Sequence, residues 1–329
     1  SCQPESSARQ PNSLPPDDAS VPVVPKVAIL LCTYNGAVFL GGQLDSIEAQ
    51  AHANWEVWAS DDGSIDDTLA QLRSRQDKWP TGRMHIVAGP QRGFAANFLS
   101  LACRPEIEAD YFAFCDQDDI WDADKLQRAL SWIRSVPVDV PALYCARTRL
   151  VDAEDREIGL SPLFTRTPGF GNALVQSLGG GNTMMFNVAA RNLLQLAGPD
   201  VQAVAHDWWA YILVSGCGGQ VYYDPKPTIR YRQHGGNLIG RNSGWRARLT
   251  RVLMLFKGRF RSWNERNLDA LLSVNCPLIP ENRRLVARFC ALRKQAALSA
   301  LVGLRKSGIY RQTLLGNLGL AAAALMRKL

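Results

Sequence analysis

Most of the common signatures of function are missing from this chain. Its eight cysteines, at positions 2, 32, 103, 115, 145, 217, 276 and 290, form no CxxC pair. Several lie inside apolar runs, so they read as reduced core residues of a cytosolic protein rather than a zinc site or a disulfide framework. The four histidines, at 52, 85, 206 and 234, have no HExxH spacing. Neither GxGxxG nor GxxxxGK[ST] occurs, which removes the dinucleotide and P-loop readings. No N-terminal apolar segment has the form of a secretory signal, and no apolar run reaches the roughly 20 residues a bilayer requires. No Ser-His or Cys-His arrangement supports covalent catalysis.

What the chain does have is bulk and an uneven charge. Its 329 residues, 47% hydrophobic, suffice for one large domain or one domain with an appendage. The net charge of +7 hides an asymmetry. From Arg230 to Leu329 there are 20 Lys and Arg against three acids, Glu265, Asp269 and Glu281. Against chain totals of 37 and 30, the preceding part therefore holds 17 basic and 27 acidic residues. An acidic body with a basic tail implies an anionic partner for the tail, a membrane surface or nucleic acid.

Residues 1–25 are rich in Pro, Ser and Asp and are expected to be a disordered leader. Apolar runs then alternate with helical stretches. Val27–Cys32 predicts a strand covered on both faces, ending in the turn Thr33-Tyr34-Asn35-Gly36, with a helix over roughly 40–50. Trp55–Ser60 predicts a second strand, ending in Asp61-Asp62-Gly63-Ser64, and Met84–Ala88 a third, followed by Arg92-Gly93 and a helix from near Ala95. Further strands are expected at Tyr111–Cys115, Ala142–Arg147, Thr183–Phe186 and Val221–Tyr223, and a helix from His206-Asp207-Trp208. Alternating strands and helices predict an α/β fold with a doubly wound, mostly parallel sheet.

The fourth strand ends abruptly in Asp116-Gln117-Asp118-Asp119. Clustered carboxylates repel one another unless a cation sits between them, and hard oxygen ligands suit Mg²⁺ or Mn²⁺. The same residues also suit a solvated acidic turn with a helix cap. The parallel sheet decides between the two, because it brings Asp61, Asp62, Asp116, Asp118 and Asp119 to one crevice beyond the strand ends, where such sheets bind ligands. The Gly179-Gly180-Gly181-Asn182 turn lets backbone approach a ligand closely. Arg232-Gln233-His234-Gly235 suits phosphate or metal contact.

These residues together resemble the inverting glycosyltransferases of family 2, with the GT-A fold, and more narrowly the rhamnosyltransferases that build bacterial surface polysaccharides. The resemblance covers roughly 26–240 and rests on Cys32–Gly36, Ser60–Ser64 with Asp66-Asp67-Thr68, Arg92-Gly93 with Asn97-Phe98, Phe114–Asp119, His206-Asp207-Trp208, and Arg232–Gly235 with Asn237. It implies that Thr33, Tyr34, Asn35, Asp61, Asp62, Arg92 and Asp116 hold the donor nucleotide, Asp61 accepting from a pyrimidine N3–H. It implies metal ligation by Asp118 and His234, and sugar or acceptor contact by Asp119, Gly180, Gly181, Asn182, His206 and Trp208. Asp207 corresponds to the catalytic base; many members carry Glu before it, where this chain has His206. The donor implied is a pyrimidine nucleotide-sugar, dTDP-L-rhamnose first and a UDP-hexose second, with Mg²⁺ or Mn²⁺ as cofactor and a lipid-linked or lipopolysaccharide glycan as acceptor. A non-catalytic scaffold of polysaccharide assembly and a nucleotidyltransferase are the other classes considered; clustered carboxylates that cost stability speak against the scaffold.

The tail, 241–329, is expected to be a basic helical domain. One reading lays it on the inner face of the cell membrane as a peripheral element; the other packs it on the catalytic domain or in a homodimer. Nucleic acid is disfavoured by the acidic crevice beside it.

Overall fold

The computed structural model describes residues 23–233 and 260–329. Val27–Thr33 forms β1, and all seven of its residues are buried. Its side chains alternate between two cores: Ala28, Leu30 and Cys32 enter one, Val27, Ile29 and Leu31 the other. A strand apolar on both faces is what a sheet covered on both sides demands.

From there the chain runs α1 Leu40–Glu48, β2 Trp55–Asp61, α2 Thr68–Lys78, β3 Met84–Ala88, α3 Phe94–Cys103 and β4 Tyr111–Cys115. It continues with β5 Ile120–Trp121, α4 Lys125–Ile133, β6 Ala142–Ala146, β7 Arg149–Val151, β8 Glu157–Leu160 and α5 Phe170–Ala173. A single 3₁₀ turn, Gly181–Thr183, precedes β9 Met185–Asn187, α6 Val188–Ala197, α7 His206–Gly216, β10 Gln220–Asp224 and β11 Ile229–Arg232. The last four helices are α8 Phe260–Ser273, α9 Pro280–Leu292, α10 Ala297–Ser307 and α11 Leu314–Leu325.

The main sheet has the order β10-β6-β9-β4-β1-β2-β3. β1 pairs in parallel with β2 and β4, β2 with β3, and β6 with β10. The register aligns the strand ends: Thr33 lies opposite Asp61, Asp61 opposite Ala88, and Leu31 opposite Cys115. The turns after β1, β2 and β4 therefore open into one crevice, as a parallel sheet requires.

Two features differ from the pattern expected of a purely alternating chain. The expected strand at Thr183–Phe186 starts later, because Gly181–Thr183 is taken up by the 3₁₀ turn, and the resulting β9 runs antiparallel between β4 and β6. A second sheet, β5-β11-β7-β8, lies outside the main one, with β11 antiparallel to β5 and parallel to β7. Its strand β11 contacts the acidic turn after β4 through Arg232.

α3 and α6 are clamped together by Arg191, whose buried guanidinium donates to the carbonyls of Ala102 (2.9 Å), Ile107 (2.8 Å) and Arg104, and lies over the Phe112 ring. Burying that charge is tolerable because its donors are spent on carbonyls. The C-terminal helices share the main core: Phe260, Leu268, Phe289, Leu304 and Leu320 are buried in the same cluster as Phe112 and Trp209. The expected division at 240/241 lies outside the described residues.

Candidate functional site

Two neighbouring carboxylates tie the turns after β1, β2 and β3 together. Asp61 accepts from Thr33 Oγ1 (2.8 Å) and Ser64 Oγ (2.6 Å) on one oxygen, and from the Gly63 and Ser64 amides (3.2 and 2.8 Å) on the other. Those four donors occupy its lone-pair directions, so a nucleotide N3–H reaches it only by displacing one of them. Asp62 is turned the other way and accepts from the Gln91 and Gly93 amides at 2.6 and 3.0 Å, which fixes the loop carrying Arg92. Arg92 itself pairs at the surface with Asp200 (2.5 Å). An exposed pair of this kind is worth little.

Tyr34 is exposed beside the crevice, and Asn35 takes a left-handed conformation (φ 46°) while its side-chain oxygen accepts from the Ile65 amide at 2.9 Å. Asn is one of the few residues that adopts this backbone at low cost.

Beyond β4 the acidic turn doubles back into β5. Asp116 is pushed well above the usual carboxylate range, first by burial and then by the charges of Asp119, Asp118 and Asp207. Asp119 is pushed up to about 7 by burial and then by Asp118. It is almost wholly buried, accepting from Asn182 Nδ2 at 2.5 Å and from the Arg232 amide at 3.2 Å. Arg232 Nε donates to the Asp118 carbonyl at 3.1 Å, so β11 grips the turn at two adjacent residues. Asp119 and Asn182, expected to face the sugar and acceptor, are thus buried and paired with each other.

The base candidate lies across the crevice. Asp207 is in the first turn of α7, accepting from the Trp208 amide at 2.6 Å and the Gly181 amide at 3.1 Å. Burial pushes its carboxyl up to about 6. The glycine turn permits this close approach: a Cβ on Gly181 would lie 2.3 Å from His206 Nε2. His206 is buried, stacked on Phe98 (3.9 Å) and edge-on to Phe114 (4.7 Å), with neither ring nitrogen hydrogen-bonded. Burial holds its pKa down at about 3, so it is neutral. Trp208 is also buried, its indole N–H donating to the Ala173 carbonyl at 2.6 Å. Gly180 lies at the entry to the 3₁₀ turn and accepts from the Thr183 amide at 3.0 Å. His234 lies outside the described residues.

Three further residues were not singled out from the sequence. Gln117 bridges the acidic turn to the Tyr34 peptide, accepting its N–H at 2.8 Å and donating to its carbonyl at 3.0 Å. Lys125 is buried with its ammonium over the Trp121 ring (3.8 Å) and no hydrogen-bond acceptor, which lowers its pKa to about 8. The Tyr231 phenol is pushed up by burial and by the charges of Asp116, Asp119, Asp118 and Asp207. A lone Gln between two Asp residues was the one local signal available for any of them.

Among the described residues no three His, Cys, Asp or Glu side chains are arranged to enclose a metal ion by themselves. The charges of Asp119, Asp118 and Asp207 acting on the buried Asp116 nonetheless fit a divalent cation. Mg²⁺-type ions take only one or two protein carboxylates and fill the rest from phosphate and water.

The Glycosyl transferase family 2 profile matches residues 28–193. The chain belongs to that family. Within it, the chain is 29% identical over 236 residues to the dTDP-rhamnosyl transferase RfbG of Shigella flexneri, covering 68% of this chain and 78% of that protein. It is 30% identical over 105 residues to the UDP-Glc:alpha-D-GlcNAc-diphosphoundecaprenol beta-1,3-glucosyltransferase WfgD of Escherichia coli, 32% of this chain and 40% of that protein.

Solved family-like structures agree on the fold. TarS 1-349 of S. aureus in complex with UDP-GlcNAc superimposes with TM-score 0.54 at 14% identity, covering 92% of this chain and 89% of that one. The mannosyltransferase PcManGT of Pyrobaculum calidifontis, in complex with GDP-Man and Mn²⁺, gives 0.50 at 17% identity over 92% and 86%. The fold is GT-A, and the family 2 chain is a glycosyltransferase enzyme.

Proposed function

We propose that this enzyme transfers L-rhamnose from dTDP-L-rhamnose, with inversion, onto a lipid-linked or lipopolysaccharide glycan at the inner face of the cell membrane. The convergence of Asp116, Asp118 and Asp119 with Asp207 in one shared field carries the reading. The relative named as a dTDP-rhamnosyl transferase, matched over 78% of its length, supports the donor.

In this reading Asp207 takes the acceptor hydroxyl proton as that oxygen bonds to the anomeric carbon, and the bond to the donor's diphosphate breaks on the opposite face. A positioned base of this kind contributes about 10²–10⁴-fold. Its carboxyl, raised to about 6, is ionised at neutral pH and close to the ideal basicity for the task. Asp118, with Asp116 beside it, would hold Mg²⁺ or Mn²⁺, which supplies charge neutralisation for the leaving nucleoside diphosphate. Thr33, Tyr34, Asn35, Asp61, Asp62 and Arg92 form the nucleotide side, the Thr33 or Ser64 hydroxyl rotating away from Asp61 to admit the pyrimidine. Asp119 and Asn182 position the acidic turn against the glycine turn, and His206 and Trp208 pack behind the base.

Calorimetric titration with dTDP, UDP and GDP, each with and without Mn²⁺, tests the reading. Metal-dependent preference for dTDP is the expected result, followed by turnover of dTDP-rhamnose. Preference for UDP moves the donor to a UDP-hexose, the sugar nucleotide named for the E. coli relative. No binding of any of the three overturns the nucleotide-sugar assignment.

A further inference from the structure

No helix among the described residues is long and apolar enough to cross a membrane, yet α11 leaves an apolar face uncovered. Leu314, Leu318 and Leu325 follow one another at helical spacing and are 79%, 59% and 45% exposed, with Leu315 on the flank at 61%. The opposite face, Leu320, Ala323 and Ala324, is buried in the core. α11 is therefore amphipathic in an unusual sense: one apolar side meets protein and the other meets solvent. Isolated exposed leucines are ordinary, but a contiguous row marks an interaction surface.

The charge around that row selects the occupant. After Glu281 the sequence contains ten Lys and Arg and no acidic residue. Arg305 and Lys306 are exposed in the last turn of α10 before the row, and Arg327 is exposed just after it. A leucine row with cations at both ends suits the interface of an anionic bilayer, where apolar side chains enter the headgroup boundary and basic ones stay on the phosphates. A second copy of the chain would bring the same cations against one another across an isologous contact, which disfavours self-association.

The arm is also tied to the active face. Gln312 N donates to Gln176 Oε1 at 2.8 Å, Asn172 Nδ2 donates to the Tyr310 carbonyl at 3.0 Å, and Tyr310 OH donates to the Thr167 carbonyl. These contacts fix the start of α11 to the segment around α5, which runs on into the glycine turn beside Asp207.

We propose that the exposed face of α11, Leu314, Leu315, Leu318 and Leu325, is a docking surface for anionic lipid bilayers that holds the acceptor side of the enzyme at the membrane. It extends the membrane-side acceptor reading above, but it stands on its own observations.

The test is sedimentation of the full chain with acceptor-free vesicles, phosphatidylcholine alone or mixed with phosphatidylglycerol, at low and high salt. Binding to the mixed vesicles, weakened by salt, is expected. Leu314→Ser/Leu318→Ser/Leu325→Ser should lose at least about tenfold in vesicle partition, since each leucine carries a large apolar transfer term. Arg305→Ala/Lys306→Ala should lose less and flatten the salt dependence. An unchanged melting temperature and unchanged dTDP affinity show the variants to be folded. Absence of wild-type binding to mixed vesicles overturns the proposal, as does equal binding by the triple variant. So does a dimeric wild type that the triple variant converts to monomer without altering vesicle binding. Failure of the donor assignment would show in nucleotide titration without vesicles, and leaves this result untouched.

Discussion

The Gln117 side chain and the Tyr34 peptide hold each other by two hydrogen bonds, one in each direction, across the gap between the β4 and β1 turns. The pairing works because position 36 is glycine. A Cβ there would lie 2.1 Å from Gln117 Oε1. Gly36→Ala should expel the carboxamide and free both turns; Gln117→Ala should do so without adding bulk. Each loses two bonds of about 1 kcal/mol apiece, and both are expected to weaken dTDP binding by about tenfold in titration calorimetry. Wild-type affinity in both variants would remove the bridge from the site's working parts.

Asp207→Asn keeps the shape of the proposed base and one of its two amide contacts, since Trp208 and Gly181 donate to different oxygens and a carboxamide has only one acceptor, but it cannot take a proton. Turnover should fall by about 10²–10⁴-fold while dTDP affinity stays at the wild-type value. In the wild type, kcat/KM should decline as pH drops through about 6, the value to which burial raises this carboxyl. A rate that stays flat from pH 8 to pH 5 would dismiss Asp207 as the base.

The acidic cluster also predicts a coupling between metal and pH. Asp119 and Asp207 have folded-state values of about 7 and 6, above those of an unfolded chain. A raised carboxyl favours the folded state at pH below its unfolded value, and that contribution is lost as pH rises through 6 to 7. In the proposed reading, a bound Mn²⁺ would offset the repulsion among the ionised groups. The rise in melting temperature on adding Mn²⁺ should therefore be larger at pH 8 than at pH 5. Equal shifts at the two pH values would separate the cluster from the metal.

His206 neighbours Asp207 but is sealed in an aromatic box and stays neutral. His206→Phe should retain folding and leave the pH–rate profile unmoved, because no proton on this ring takes part. His206→Ala opens a cavity against Phe98 and should lower stability by about 2–4 kcal/mol in denaturant unfolding. A profile that shifts in the Phe variant would give the imidazole a part in tuning Asp207.

The patterns legible in the sequence were those encoded by neighbours along the chain. The buried strand runs, their acidic ends and the helix that opens on Asp207 are local patterns, and the crevice follows from the topology they imply. β5, β7 and β9 are two or three residues long, too short for any periodicity to register. Their pairings nonetheless decide where Asp119 points: its partners, Asn182 and the Arg232 amide, are 63 and 113 residues away. The Gln117 bridge spans 83 residues. Side-chain direction at a strand end is settled by contacts of that range, so the residue types of the site could be read in advance and their orientations could not.

Within the main sheet, among the described strands, β9 alone joins the half that ends in Asp61, Asp62 and Asp116 to the half made by β6 and β10. Three residues of antiparallel pairing form that seam. On the proposed placement of the donor along β1 to β4, a chain divided in this way could be rebuilt on one side at a time: a lineage that kept those strands and recast the later ones would retain its source of sugar while acquiring a new destination for it. The seam is thus a natural boundary for chimaeras between relatives.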